Sequence, residues 1–117
     1  VLGDNPAASW EAAAGPAVDA IQADGAMTTT THLSFGDFPG EQYALQIFAD
    51  HLVHGWDLAT AIGADTKLDP EQVQAGLEWF EAVEDDYRAA GAIGERPPIA
   101  DGASPQTVLL AMFGRSG

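Results

Sequence analysis

Three times in this chain a side chain able to cap a helix is followed at once by proline: Asn5-Pro6, Asp69-Pro70 and Ser104-Pro105. The cap oxygen accepts from N–H groups that the first helical turn leaves without partners. Proline has no N–H to lose, and its φ is already set for the first helical position. Three helix starts are therefore specified before any hydrophobic pattern is considered. Asp69-Pro70 is the most complete, because Gln72 stands three residues after the cap, where a capping box wants it.

Periodicity extends each start. A first helix is expected over residues 6 to about 23, with Trp10, Ala14, Ala17, Val18 and Ile21 along one stripe, a kink or break at Gly15-Pro16, and Asp24-Gly25 as its end. Another should run from 70 to about 90, burying Val73, Leu77, Phe80, Val83 or Glu84, and Tyr87, and stopping at Gly91. Residues 94–102 contain Pro97-Pro98 and two glycines, which sustain no regular element, so a loop is expected there. After Ser104-Pro105, the apolar Val108, Leu109, Leu110, Met112 and Phe113 make a short last helix closed by Gly114.

Between the first two starts the character changes twice. Residues 27–38 carry Thr28 to Thr31, then Leu33 and Phe35, a β-branched composition that suits a short hairpin or an extended arm. Residues 36–40 supply turn chemistry. A long helix then runs from 40 or 41 to about 62, with Gly63 placed for a left-handed C-terminal cap. Tyr43, Leu45, Ile47, Phe48, Leu52, Val53, Trp56 and Leu58 cover more than half of its circumference, the mark of a helix enclosed by others. The fold class is therefore mainly all-α, in one domain over residues 1–117, the length that closes a single hydrophobic core.

The formal charge of -14, from 18 acidic against 4 basic residues, would repel phosphate backbones and anionic lipid, so neither nucleic acid nor membrane is an expected partner. No apolar run is long enough for a membrane span, no signal sequence is visible, and a cytoplasmic location is expected. Cysteine is absent, so any metal must be held by nitrogen and oxygen. The chain opens on Val1 rather than Met, which suggests a trimmed portion of something longer.

Asp50 and His54 stand four apart on the long helix and so project from adjacent turns of one face, where they can converge on one ion. Such a pair suits zinc, nickel, iron or manganese, and needs a further ligand from another element. His32 and His51 are the other histidines, and His51 is rotated about 100° from Asp50. Asp57, one turn beyond His54, is placed to fix its ring from behind. Trp56 and Tyr43 are candidates to line a pocket, with Phe48 beside them. The plainer reading of Asp50 and His54 is an intrahelical polar pair that satisfies itself, of Trp56 a core aromatic, and of the acids from Glu78 to Asp86 a solvated face. No phosphate loop or nucleophile elbow is present.

The string Asp50-His51-Leu52-Val53-His54-Gly55-Trp56-Asp57-Leu58-Ala59-Thr60-Ala61-Ile62-Gly63 resembles a hallmark of the actinobacterial relatives of mycothiol-dependent maleylpyruvate isomerase, DinB-like metal-binding helical bundles. The threonine-rich arm ending in Phe35-Gly36-Asp37-Phe38-Pro39-Gly40, and Leu109-Leu110-Ala111-Met112-Phe113-Gly114-Arg115, agree with it, so the resemblance spans nearly the whole chain. It implies a DinB-like four-helix bundle of which the first two helices are missing here, with the hairpin or arm and a C-terminal helical segment added. It also implies a divalent ion, zinc or nickel first, held by Asp50, His54 and a histidine of an earlier helix that has no counterpart in this sequence. A thiol such as mycothiol, or a small organic acid, is then an expected ligand. The exposed side of the long helix would be covered either by the missing N-terminal segment or by a second copy in a homodimer. The competing expectation is a non-catalytic helical dimerisation or interaction module with a remnant metal site.

Overall fold

The computed structural model describes residues 3–116, which fall into two compact units that meet in sequence between Gln46 and Ile47. Among the described residues the architecture is mainly α: five α-helices, one 3-10 turn and one two-stranded antiparallel sheet.

In the first unit, α1 spans Pro6–Gln22, and the Asn5 Oδ1 atom accepts from Ala8 N at 3.1 Å. The helix passes through Pro16 rather than breaking there. The missing N–H would have served the carbonyl of Ala12, an exposed residue whose oxygen water can satisfy, so the usual penalty for an interior proline is softened. No residue of α1 is buried, and Trp10 and Val18 are exposed on the stripe expected to pack.

A 3-10 turn, Ala26–Thr28, leads into the hairpin, with the Thr28 and Thr29 hydroxyls donating to Gly25 O at 3.1 and 2.9 Å. β1 (Thr30–Leu33) pairs antiparallel with β2 (Gly36–Pro39), from Thr30↔Pro39 to Leu33↔Gly36, leaving Ser34-Phe35 as a two-residue connection. Of the two expectations for this stretch, the hairpin forms. Gly40 N then donates to Thr29 O at 2.8 Å, and a Cβ on Gly40 would stand 1.9 Å from Ala26 O, so the helix that starts here needs a residue without one.

That helix, α2 (Gly40–Ile62), continues into the second unit, where α3 (Pro70–Phe80), α4 (Glu84–Ala89) and α5 (Pro105–Met112) follow. Ala49, Leu52 and Val53 of α2 join Val73 and Phe80 of α3, Leu109 and Met112 of α5, and Phe113 in one buried cluster. Phe80 stacks on Phe113, with ring centroids 3.8 Å apart and planes at 15°, while Tyr87 meets Phe80 edge-on at 5.5 Å.

Two expectations are corrected. The single helix expected over 70–90 is two, because Ala82 N and Val83 N bond to Trp79 O and Phe80 O in tight three-residue turns before Tyr87 N to Val83 O restores α geometry. The bend brings Tyr87 against both Trp79 and Phe80, a contact with three aromatic rings that a straight helix would spread along its length. Second, α2 is not enclosed all round: Leu58 and Ile62 are 61% and 69% exposed, since the buried cluster takes only the side that carries Ala49, Leu52 and Val53.

The caps behave as expected. Asp69 Oδ1 accepts from Glu71 N and Gln72 N at 2.9 and 3.1 Å, and Ser104 Oγ from Thr107 N at 3.1 Å. Residues 94–102 form no regular element, and Gln106 ties another connection down by donating to Thr66 O and accepting from Leu68 N, both at 2.9 Å.

Candidate functional site

The second half of α2 presents Asp50, His54 and Asp57 along one stripe, turned away from the buried cluster. Asp50 Oδ1 lies 3.3 Å from His54 Nε2, within ion-pair range but longer than an ordinary N–H···O bond. On the other side of the ring, His54 Nδ1 meets Asp57 Oδ2 at 3.0 Å. Asp57 is in turn gripped by Arg115, whose Nε donates to Oδ1 at 3.2 Å and Nη2 to Oδ2 at 2.8 Å.

These contacts set the charges. The Arg115 hydrogen bonds, helped by His54, hold the Asp57 carboxyl below its ordinary range even though partial burial pushes the other way. Asp57 is therefore ionised and can only accept, so the hydrogen in its bond to His54 sits on Nδ1. In the neutral ring Nε2 then carries a lone pair, facing the Asp50 carboxylate. Two acceptors at 3.3 Å with no hydrogen between them repel unless a proton or a metal ion lies within reach of both. The spacing matches the edge of a tetrahedron whose ligand bonds are roughly 2.0–2.1 Å long, about 3.3 Å, so the pair fits a small divalent ion.

The position is open. The His54 and Asp50 side chains are 61% and 69% exposed. The described residues do not gather three His, Asp or Glu side chains about one point, because Asp57 engages the far nitrogen of the ring. A groove of about 460 Å³ runs along the flank, lined by Phe48, His51, Leu52, Gly55, Leu68 and Gln72. His51 is exposed, with Nδ1 bonded to Ile47 O at 2.8 Å.

Among curated proteins the chain is similar to an uncharacterised protein of Mycobacterium tuberculosis, found in both strain CDC 1551 / Oshkosh and strain ATCC 25618 / H37Rv. Each is 34% identical over 115 residues, which is 97% of this chain. The chain spans 63% of the length of these relatives. No protein-family model matches the chain, and no solved structure does.

The remaining residues singled out from the sequence fall elsewhere. Trp56 is half-buried and two positions from His54, about 200° round the helix, so it does not share the stripe of the donors. Tyr43 is half-buried in the first unit, on the opening turns of α2. His32 is on the hairpin, where its Nδ1 lies 2.8 Å from Oδ1 of its cross-strand partner Asp37. Arg115 is the member that sequence reasoning left out. It stands at the end of the Leu109-to-Arg115 string that agrees with the resemblance, just after the glycine that ends a helix, but its partner is 58 residues away.

Proposed function

We propose that the chain is the metal-binding helical portion of a DinB-like domain related to mycothiol-dependent maleylpyruvate isomerase, with Asp50 and His54 as two ligands of a divalent ion. The observation that carries this reading is the approach of Asp50 Oδ1 to His54 Nε2 at 3.3 Å, with the other ring nitrogen held by a carboxylate, as metal-bound imidazoles commonly are. The mycobacterial origin of the relatives agrees with the actinobacterial type of the sequence resemblance.

Zinc or nickel, when bound, would supply a Lewis acid able to activate a thiol such as mycothiol, or water. The chain's own parts have separate tasks. Asp50 and His54 hold the ion, Asp57 keeps the His54 proton on Nδ1, and the groove beside His51 and Gly55 offers an apolar wall to a small organic acid. A third ligand and a cover over the exposed stripe are assigned to the part of the protein that lies beyond the matched segment in the longer relatives.

Protein purified without chelator and its His54→Ala variant should differ in bound zinc and nickel by elemental analysis, with metal in the parent and at least a tenfold loss in the variant. Equal contents near zero would defeat the proposal. That result would favour a second reading, a helical dimerisation or interaction module. The exposure of Leu58 and Ile62, one and two turns beyond His54, supports it, and light scattering would then report a dimer.

A further inference from the structure

We infer that Arg115 is a positioning residue for His54: acting through the Asp57 carboxylate, it determines which ring nitrogen the imidazole offers outward.

The end of α5 places Arg115. Leu109, Leu110, Ala111 and Met112 are buried, so the helix cannot slide without opening the core. Gly114 adopts φ +81, and its N–H bonds to Ala111 O while Arg115 N–H bonds to Leu110 O, both at 2.9 Å. This is the paired closure of a Schellman turn, which fixes the direction in which residue 115 leaves the helix. The guanidinium is then aimed by its own backbone, since Nη1 donates to Phe113 O at 2.7 Å. Nε and Nη2 remain, side by side, and both engage Asp57.

A two-pronged contact of this kind sets the plane of a carboxylate as well as its charge, which a lysine ammonium does not do. Asp57 Oδ2 is shared between Arg115 Nη2 at 2.8 Å and His54 Nδ1 at 3.0 Å. Without the fork, a carboxylate that is 34% exposed is free to turn into water, and His54, 61% exposed, loses the acceptor that selects its Nδ1–H form. The ring then divides between its two tautomers, and Nε2 carries its lone pair only part of the time. The consequence for metal binding rests on the function proposed above, whereas the consequence for the ring does not.

The test uses chelator-treated, ¹⁵N-labelled chain at a pH where histidine is neutral, with long-range ¹H–¹⁵N correlation reading the tautomer of each imidazole. The parent should show His54 in the Nδ1–H form. Arg115→Met should convert much of it to Nε2–H, and Arg115→Lys, which keeps the charge and guards against loss of the fold, should lie between. His51 serves as the internal control, because its Nδ1 is bonded to a carbonyl of its own helix and should not respond. Zinc titration of the same proteins should show affinity lower by about 10–100-fold in Arg115→Met. A parent that takes up no zinc defeats the metal reading while the ring pattern still decides this inference. An unchanged His54 pattern in both variants overturns it whatever zinc does. So does an equal change at His51, which would mean that Arg115 holds the fold rather than the ring.

Discussion

Gly76 and Leu109 offer the most exacting check on the packing of the second unit. A Cβ placed on Gly76 would stand 3.3 and 3.4 Å from the two Leu109 methyl carbons and 3.6 Å from Leu52 Cδ2. Taken alone, Gly76→Ala in mid-helix gains about 1 kcal/mol of helix propensity. Leu109 is fully buried and cannot swing its methyls into solvent, so the added carbon also overpacks the core at a cost of about 1–3 kcal/mol. The cost should win, leaving Gly76→Ala neutral to about 2 kcal/mol less stable. Leu109→Ala alone should lose about 2–5 kcal/mol, with the cavity included. In that background both methyls are gone, and Gly76→Ala should change sign, gaining its propensity of about 1 kcal/mol and filling part of the void. Urea unfolding of the four proteins, followed by far-ultraviolet circular dichroism and fluorescence and extrapolated linearly, gives the cycle. A coupling of about 1–3 kcal/mol is expected. Additivity within about 0.5 kcal/mol would refute the close approach of α3 and α5, as would Gly76→Ala stabilising the parent by its whole propensity gain.

Further measurements bear on the site and its supports. Asp57 is depressed in the folded chain, so its contribution to stability is fully present above the unfolded carboxyl value of about 3.9 and disappears as pH falls through the folded value. The stability gap between parent and Asp57→Asn should therefore be present at pH 5 and close below about 4. A gap that persists undiminished into strong acid, in urea titrations stepped through pH, would contradict this. Gln106→Leu removes the side-chain bonds to Thr66 O and Leu68 N and should cost about 1–3 kcal/mol. Hydrogen exchange at the Leu68 amide should accelerate with it, and an unaltered rate there would mean that the connection is held by something other than Gln106.

Much of the local structure was legible because its causes are local. Asn5, Asp69 and Ser104 each cap the helix whose start they marked, and α2 begins at the glycine that a change from threonine-rich to helical composition indicated. Convergence of Asp50 with His54, and of His54 with Asp57, follows from three- and four-residue spacing on one helix. The extent of burial was harder to read. Leu58 and Trp10 look like core residues by composition, yet both are exposed, because periodicity identifies an apolar face without supplying the surface that would cover it. The break at residues 81–83 was hidden for a related reason: nothing in Glu81-Ala82-Val83 opposes a helix, and the break coincides with aromatic packing of Tyr87 on Phe80 that lies outside the reach of propensity.

By itself, the amino-acid order determined a mainly helical chain, the starts of the three helices that a cap and a proline open, an extended threonine-rich stretch between the first two helices, and a stripe on which a carboxylate and an imidazole lie side by side. These depend on hydrogen bonds and side-chain spacings within a few residues, and such distances are set by covalent geometry alone. Only the tertiary structure decided that Arg115 closes on Asp57 from 58 residues away, that Gly76 makes room for Leu109, and that the stripe opens to solvent. Contacts of that range exist once apolar surfaces have chosen their partners, and burial of apolar area favours compactness without naming the pairs that achieve it.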